Sequence, residues 1–275
     1  MPTEFRADLH CHSTCSDGTD TPQELLHKAK SAGLSALSIT DHDTLAAYTP
    51  ELFSLAKTLS LQLLTGVEIS SELDKTNIHI LGYNVDTASS SLSLFLREIH
   101  QRRTERNRKI LANLARHNMP IEETELLKLN PQRTIGRPHI AALMVQKGYV
   151  RSLPDAFERY LKDGAPCYVP GFKFTPADAI AAIHAARGRA VLAHPHFIKK
   201  NTLLRQLLAL PFDGIECYYG TLVPELEAPW IKIAQEKKWI ATGGSDYHGT
   251  FKPQIQLGAS WVDEITFQKL DEKFY

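Results

Sequence analysis

Two short pairs of residues raise the question of chemistry. The segment "DLHCHSTCSDG" places His10 and His12 two residues apart, with Asp17 following five residues later. Near the other end, "GGSDYHG" places Asp246 and His248 two apart. Between them stand His42 in "ITDHDT", Glu68 in "GVEIS", His79 in "IHILGY" and His194 in "AVLAHP". Imidazoles and carboxylates are ligands for first-row divalent ions, and this set is too large for one ion, which points to a multinuclear centre. Such a centre lowers the pKa of bound water, so a nucleophile exists near neutral pH. A solitary histidine is usually an ordinary surface or core residue. His27, His100, His117 and His184, which fall inside helical patterns, are read that way.

The elements that must position these side chains read as strands alternating with helices. Seven strand-like runs are visible: "FRADLHCH", "LSALSITDH", "QLLTGVEIS", "IHILGYNV", "RAVLAHP", "FDGIECYY" and "WIATGGSDYH". Helices between them carry clear start signals: Thr21 then Pro22, and Thr175 then Pro176, as cap and first helical residue. Alternation of this kind predicts a parallel sheet closed, or nearly closed, into a barrel. Residues two apart on a strand face the same side, so His10 and His12 converge while Cys11 points away. Nearly every strand then delivers a His, Asp or Glu at or near its C-terminal end, the face on which barrel enzymes build their sites. Asp8 and Asp41 neighbour ligands, and are read equally as acceptors that orient imidazoles or as turn formers.

Between Leu92 and Ala165 the rhythm breaks. Leu, Ile and Ala recur at helical spacing, which predicts a helical insertion over 92–165 in a barrel made of 1–91 and 166–275. "SLSLFLREIHQRRTERNRKILANLARHN" predicts one long helix or two. Seven basic residues stand against two acidic ones from Arg97 to Arg116. Most of them read as a solvated helix face. Arg106, and above all Arg137 and His139 in "IGRPHIA", are the candidates for gripping substrate, because a Gly-Arg-Pro-His turn sets two donors at a helix start.

The totals exclude several other classes. The chain has 275 residues, with 31 basic and 31 acidic side chains, so no global field draws it to nucleic acid or an anionic membrane. No apolar run reaches the ~18 residues of a membrane span. The start shows no apolar signal region, and the four cysteines form no CxxC pair. A cytoplasmic protein with reduced thiols is expected, with no membrane and no obligate protein partner.

The six motifs "DLHCHSTCSDG", "ITDHDT", "GVEIS", "IHILGY", "AVLAHP" and "GGSDYHG", in that order, resemble those of the PHP (polymerase and histidinol phosphatase) superfamily, from Asp8 to Gly249. The resemblance implies an α/β fold, a distorted (β/α)7 barrel, with a di- or trinuclear metal site that hydrolyses phosphoesters. It implies that His10, His12, Glu68 and Asp246 hold one ion. Glu68 would bridge to a second, held also by His79 and His194. Asp17, His42 and His248 would hold a third. Glu68, Asp17, His42 and His248 would thus be the residues closest to catalysis. Two or three divalent ions are expected, Mn²⁺ first, with Fe²⁺ or Zn²⁺ as alternatives. The insertion and "GRPHIA" resemble one branch, the stand-alone enzymes related to RNase AM. That implies a nucleotide or 5′-phosphorylated oligonucleotide as substrate: a nucleoside 3′,5′-bisphosphate losing its 3′-phosphate, or RNA degraded from its 5′ end. The alternatives are a histidinol-phosphatase-like enzyme for a small phosphomonoester, or a non-catalytic metal-binding regulatory module.

Overall fold

The computed structural model describes residues 4–129, 134–170 and 174–272; residues 130–133, inside the expected insertion, lie outside that description. Seven strands form one sheet in chain order: β1 (Ala7–Cys11), β2 (Ala36–Ile39), β3 (Gln62–Leu73), β4 (Thr76–Tyr83), β5 (Arg189–Leu192), β6 (Gly214–Tyr219) and β7 (Ile240–Gly244). The two edges meet. His12 N–H donates to Tyr247 O (2.8 Å) and Asp246 N–H to His10 O (2.7 Å), beside a parallel bridge between Cys11 and Tyr247. The sheet is therefore a nearly closed barrel. Gly244 permits this closure, since a Cβ there would fall 2.4 Å from His10 N.

One strand departs from the parallel expectation. β4 runs antiparallel to both β3 and β5. Only Asp74 and Lys75 separate β3 from β4, and both adopt the left-handed conformation (φ 49° and 61°) of a tight hairpin. A parallel neighbour needs a crossover of a dozen or more residues. The "LDKT" turn carried this signal. Because β4 is reversed, it delivers His79 from its first half, opposite Ser70.

Around the barrel lie α1 (Pro22–Ser31), α2 (Pro50–Thr58), α7 (Pro176–Ala185), α8 (Asn201–Leu208), α9 (Pro224–Lys237) and α10 (Glu264–Asp271). Between β4 and α7 come α3 (Ser90–Arg116), α4 (Glu123–Leu129), α5 (Arg137–Gln146) and α6 (Leu153–Ala156), the last continued by a wider turn over Phe157–Leu161. The caps form where the sequence places them. Thr21 and Glu24 form a reciprocal capping box on α1, as do Thr175 and Asp178 on α7. Leu25, Leu26 and Leu52 of α1 and α2 pack on Cys11, Leu37 and Ile39, so Cys11 does face away from the ligands.

The helix α3 is a single 27-residue rod that serves two cores. Leu92, Leu96 and Ile99 pack with Val67, Ile80 and Ile183 of the barrel. Ile110 and Leu114 pack with Ile140, Met144 and Leu161 in a separate cluster of the insertion. Those positions form one stripe at helical spacing. Its middle members are Arg103 and Arg106, 7% and 6% exposed. Arg103 is thus not part of the solvated face expected for most of these charges, and Arg106, the one singled out as a substrate candidate, is buried beside it.

Candidate metal centre

The barrel mouth brings all nine predicted ligands together. Glu68, held on β3 and 1% exposed, lies at the middle. Its Oε2 is 3.4 Å from His10 Nε2, 3.2 Å from His12 Nε2 and 3.1 Å from His42 Nδ1. Its Oε1 is 2.9 Å from both His79 Nδ1 and His194 Nε2. Asp246 Oδ1 approaches His10 and His12 at 3.4 and 3.3 Å. Asp17 faces His12, His42 and His248 at 3.5–3.7 Å. Gly18 follows Asp17 because the loop there presses on His12 O, 2.0 Å from where a Cβ would sit.

These contacts sort into three groups with ion-sized spacing: His10, His12 and Asp246; His42, Glu68 and His79; and His12, Asp17, His42 and His248. His12 and His42 each belong to two groups, so the partition is less clean than the family pattern implies.

The donor chemistry fits divalent ions. His10 Nε2, His12 Nε2 and His42 Nδ1 are buried with no hydrogen bond, all directed toward Glu68. Buried polar atoms are normally satisfied, and a bound cation would satisfy these. Burial raises the cost of a Glu68 charge, yet His42, His79 and His10 hold its carboxyl well below the usual range. Burial also resists a charge on His12, but the Asp246 and Glu68 carboxylates beside it win and lift it to about 9. Burial pushes His42 down to about 3. Without ions, then, protons and imidazoles balance the carboxylates; ions would displace those protons.

Support for the ligands comes partly from a residue that sequence reasoning missed. Glu216, fully buried on β6, takes a hydrogen bond from His10 Nδ1 (2.8 Å), which leaves Nε2 as the coordinating atom. Its other oxygen accepts the His194 backbone N–H (2.7 Å) and secures that residue at φ 27°. A lone acid in the buried run "GIECYY" was the available signal. Neither Asp8 nor Asp41 hydrogen-bonds an imidazole directly, although the Ser16 hydroxyl that donates to Asp41 lies 3.4 Å from His12 Nδ1. Asp8 accepts the N–H groups of Ser245 and Gly258, and Asp41 those of Ser13, with the Ser13 and Ser16 hydroxyls. They pin the barrel seam and the first loop. Tyr219 and Lys252 both reach Asp246 Oδ2, at 2.6 and 2.5 Å.

A cavity of about 340 Å³ opens beside the centre. Asp17, His42, His79 and His248 form its floor, and Arg103, Arg106 and Arg137 line it from the insertion. Arg103 pairs with Asp43 and donates to Ser70 Oγ (2.9 Å), which fastens α3 to the strand that carries Glu68. Burial, with Arg103 and Arg137 close by, holds the Arg106 guanidinium well below its usual range. Arg137 starts α5 and donates to Leu161 O and Asp163. His139 is turned inward: its Nδ1 accepts the Gly136 N–H (3.0 Å), and it is not among the cavity's lining residues. In structural terms it is a helix-start residue.

The PHP domain model matches residues 8–163 of this chain. The chain belongs to the PHP family. It is 34% identical over 257 residues to the 5′-3′ exoribonuclease Rnm of Escherichia coli, across 91% of this chain and 87% of that one. It is 32% identical over 248 residues to the 3′,5′-nucleoside bisphosphate phosphatase of Chromobacterium violaceum, across 88% and 86%. A Bifidobacterium adolescentis protein assigned as a metal-dependent phosphoesterase superposes with TM-score 0.87 at 30% identity, across 98% and 96% of the two chains. The barrel is thus a PHP barrel, and the chain is a metal-dependent phosphoric ester hydrolase. Among the described residues, no helix is long and apolar enough to cross a membrane.

Proposed function

We propose that this PHP protein removes the 3′-phosphate from nucleoside 3′,5′-bisphosphates and degrades 5′-phosphorylated RNA from its 5′ end. The observation that carries this is the cavity with a ligand floor and a guanidinium wall. A single phosphomonoester needs only the floor. A substrate with two phosphates uses both.

The two relatives' names describe one chemistry. A nucleoside 3′,5′-bisphosphate is the first nucleotide of a 5′-phosphorylated RNA, cut off just after the scissile phosphate. In both, a water oxygen bonds to phosphorus, the P–O3′ bond breaks, and the 3′ oxygen takes up a proton. The other product is inorganic phosphate in one case and a shorter RNA with a new 5′-phosphate in the other. Divalent ions held by His10, His12, Asp17, His42, Glu68, His79, His194, Asp246 and His248 would supply the activated water and neutralise phosphate charge. Imidazole-carboxylate ligands suit Mn²⁺, Fe²⁺ or Zn²⁺, and the carboxylates of Asp17, Glu68 and Asp246 among them make Mn²⁺ the first choice. The protein's own part is placement. Arg137 and Arg106 anchor the 5′-phosphate through planar donors, with Arg103 behind them. Glu216 keeps His10 in its coordinating orientation. The four free cysteines are consistent with work in the cytoplasm.

The test is a substrate panel on Mn²⁺-loaded protein: adenosine 3′,5′-bisphosphate, a 5′-phosphorylated oligoribonucleotide, the same oligonucleotide with a 5′-hydroxyl, and histidinol phosphate. The first two should be the best substrates, and the 5′-hydroxyl strand should be poor. A clear preference for histidinol phosphate would overturn the proposal.

A further inference from the structure

The segment that follows β5 reads "AHPHFIKK" and has a composition unlike the rest of the barrel mouth. His194 is a candidate metal ligand. Three residues later Phe197 is 55% exposed, although it is a large apolar side chain. Its ring centroid lies 5.4 Å from that of His194. The ring is also held from its own side. His196 packs against it at 4.2 Å, and Tyr219 meets it nearly edge-on at 5.6 Å and 83°. Tyr219 is itself anchored through its hydroxyl on Asp246. Both ring nitrogens of His196 are buried without a hydrogen bond, so this imidazole acts here as a flat spacer. Phe197 is thus a braced aromatic plate at the rim of the metal centre, open to solvent.

Its position relative to the arginine cavity decides what it could meet. The cavity is reached from His79, and the Phe197 plate from His194, whose ring lies 5.2 Å from that of His79. Neither Phe197 nor Tyr219 lines the cavity. Two candidate ligands, His79 and His194, therefore link the cavity to the plate. A 5′-phosphorylated strand with its terminal phosphate on the wall and its next phosphate on the centre must send its second nucleoside away from the wall. That direction leads to Phe197. Lys199 and Lys200 follow on the same segment, both exposed, and suit the strand's further phosphates. Aromatic plates beside basic residues are the usual way to hold single strands without reading sequence, because every base has a face to stack.

We infer that Phe197 stacks the base of the second nucleotide, just downstream of the scissile phosphodiester, and so determines how well the enzyme holds RNA as opposed to a nucleoside bisphosphate. This rests on the substrate orientation proposed above. A bisphosphate ends at the scissile phosphate and has no second base.

The experiment pairs a protein change with a substrate change. Binding of a 5′-phosphorylated dinucleotide to the chelator-treated protein is measured by fluorescence anisotropy, and KM is measured for the Mn²⁺-loaded protein. Phe197→Ala should weaken dinucleotide binding and raise its KM roughly tenfold, at least several times more than for adenosine 3′,5′-bisphosphate. Phe197→Trp should restore both. Removing the second base, with an abasic dinucleotide, should cost the wild type a similar factor and cost Phe197→Ala little more, since the two changes delete one contact. If the abasic penalty is the same in both proteins, or if Phe197→Ala harms the bisphosphate equally, the inference is wrong. Failure of the wild type to cleave any oligonucleotide would count against the proposed function instead, and the binding arm would still decide the role of Phe197.

Discussion

The ligand cluster and the arginine wall face each other across one cavity, but they are built by opposite means. The candidate ligands stand on or just after strands, in six short motifs, and six of the seven strands deliver theirs to one mouth of the barrel. The wall comes from two helices: Arg103 and Arg106 from α3, and Arg137 from the start of α5, more than thirty residues on. The ligands are stabilised by mutual charge balance, with Glu216 behind them. The wall gathers like charges and is held by ties to neighbours, Arg103 to Asp43 and Arg137 to Asp163. On the proposed reading the metal chemistry belongs to the barrel and the anchor for the 5′-phosphate to the insertion, so the two should separate by mutation.

The largest effect should follow Glu68→Ala. Glu68 contacts five imidazoles, so its loss removes the shared ligand of the centre. Turnover should fall by at least about 10³-fold on every substrate, with fewer ions per chain by elemental analysis. Retention of the full ion count with near-normal activity would break the comparison on the barrel side.

Next in size is Asp43→Ala. It leaves the Arg103 guanidinium buried without its carboxylate partner, and breaking such a pair costs about 3–5 kcal/mol. Urea denaturation should show that loss of stability, with Asp43→Asn losing less. No change in the urea midpoint would mean that α3 is not fastened to the barrel through this contact.

A smaller and more selective effect is expected of Arg137→Ala. KM for a nucleoside 3′,5′-bisphosphate should rise about tenfold, with far less change for p-nitrophenyl phosphate, because uniform binding is lost while the metal chemistry survives. Equal losses on both would assign Arg137 to bracing Leu161 and Asp163 instead.

The smallest effect sharpens the barrel side. His12 holds a proton up to about pH 9 in the metal-free protein, and a metal ligand must be deprotonated. Mn²⁺ loading at pH 7 should therefore release protons, and affinity should weaken as pH falls. The release should fade as pH rises through about 9. Titration calorimetry in buffers of different ionisation heat reads this directly. A release independent of pH from 7 to 10 would show that the ion does not displace a proton from His12.

Read from residues alone, the barrel and the convergence of its candidate ligands were almost wholly legible. Strand-end motifs have a local grammar: alternation sets which side chains converge, and Thr-Pro starts mark the helices between. All nine candidates needed no more than that, and the family pattern added only their division among three ions. Beyond that grammar lay the reversal of β4, which turned on two residues in the left-handed conformation, and the role of Glu216, whose partners are distant in sequence. Asp8 and Asp41 were open between two readings, and only their hydrogen bonds placed them as loop and seam anchors. Arg103, read with the solvated charges, shows the limit best, and Arg106, already a substrate candidate, is buried beside it. On a helix surface a charge normally points to water, and nothing local to α3 says otherwise. Their burial depends on what α3 crosses, a cavity floored by ligands from four other segments. Backbone geometry is short-ranged, so sequence determined which strands end in ligands. Charge is long-ranged and its cost depends on surroundings, so only the packed structure decided which arginines face the metal centre and which face the solvent.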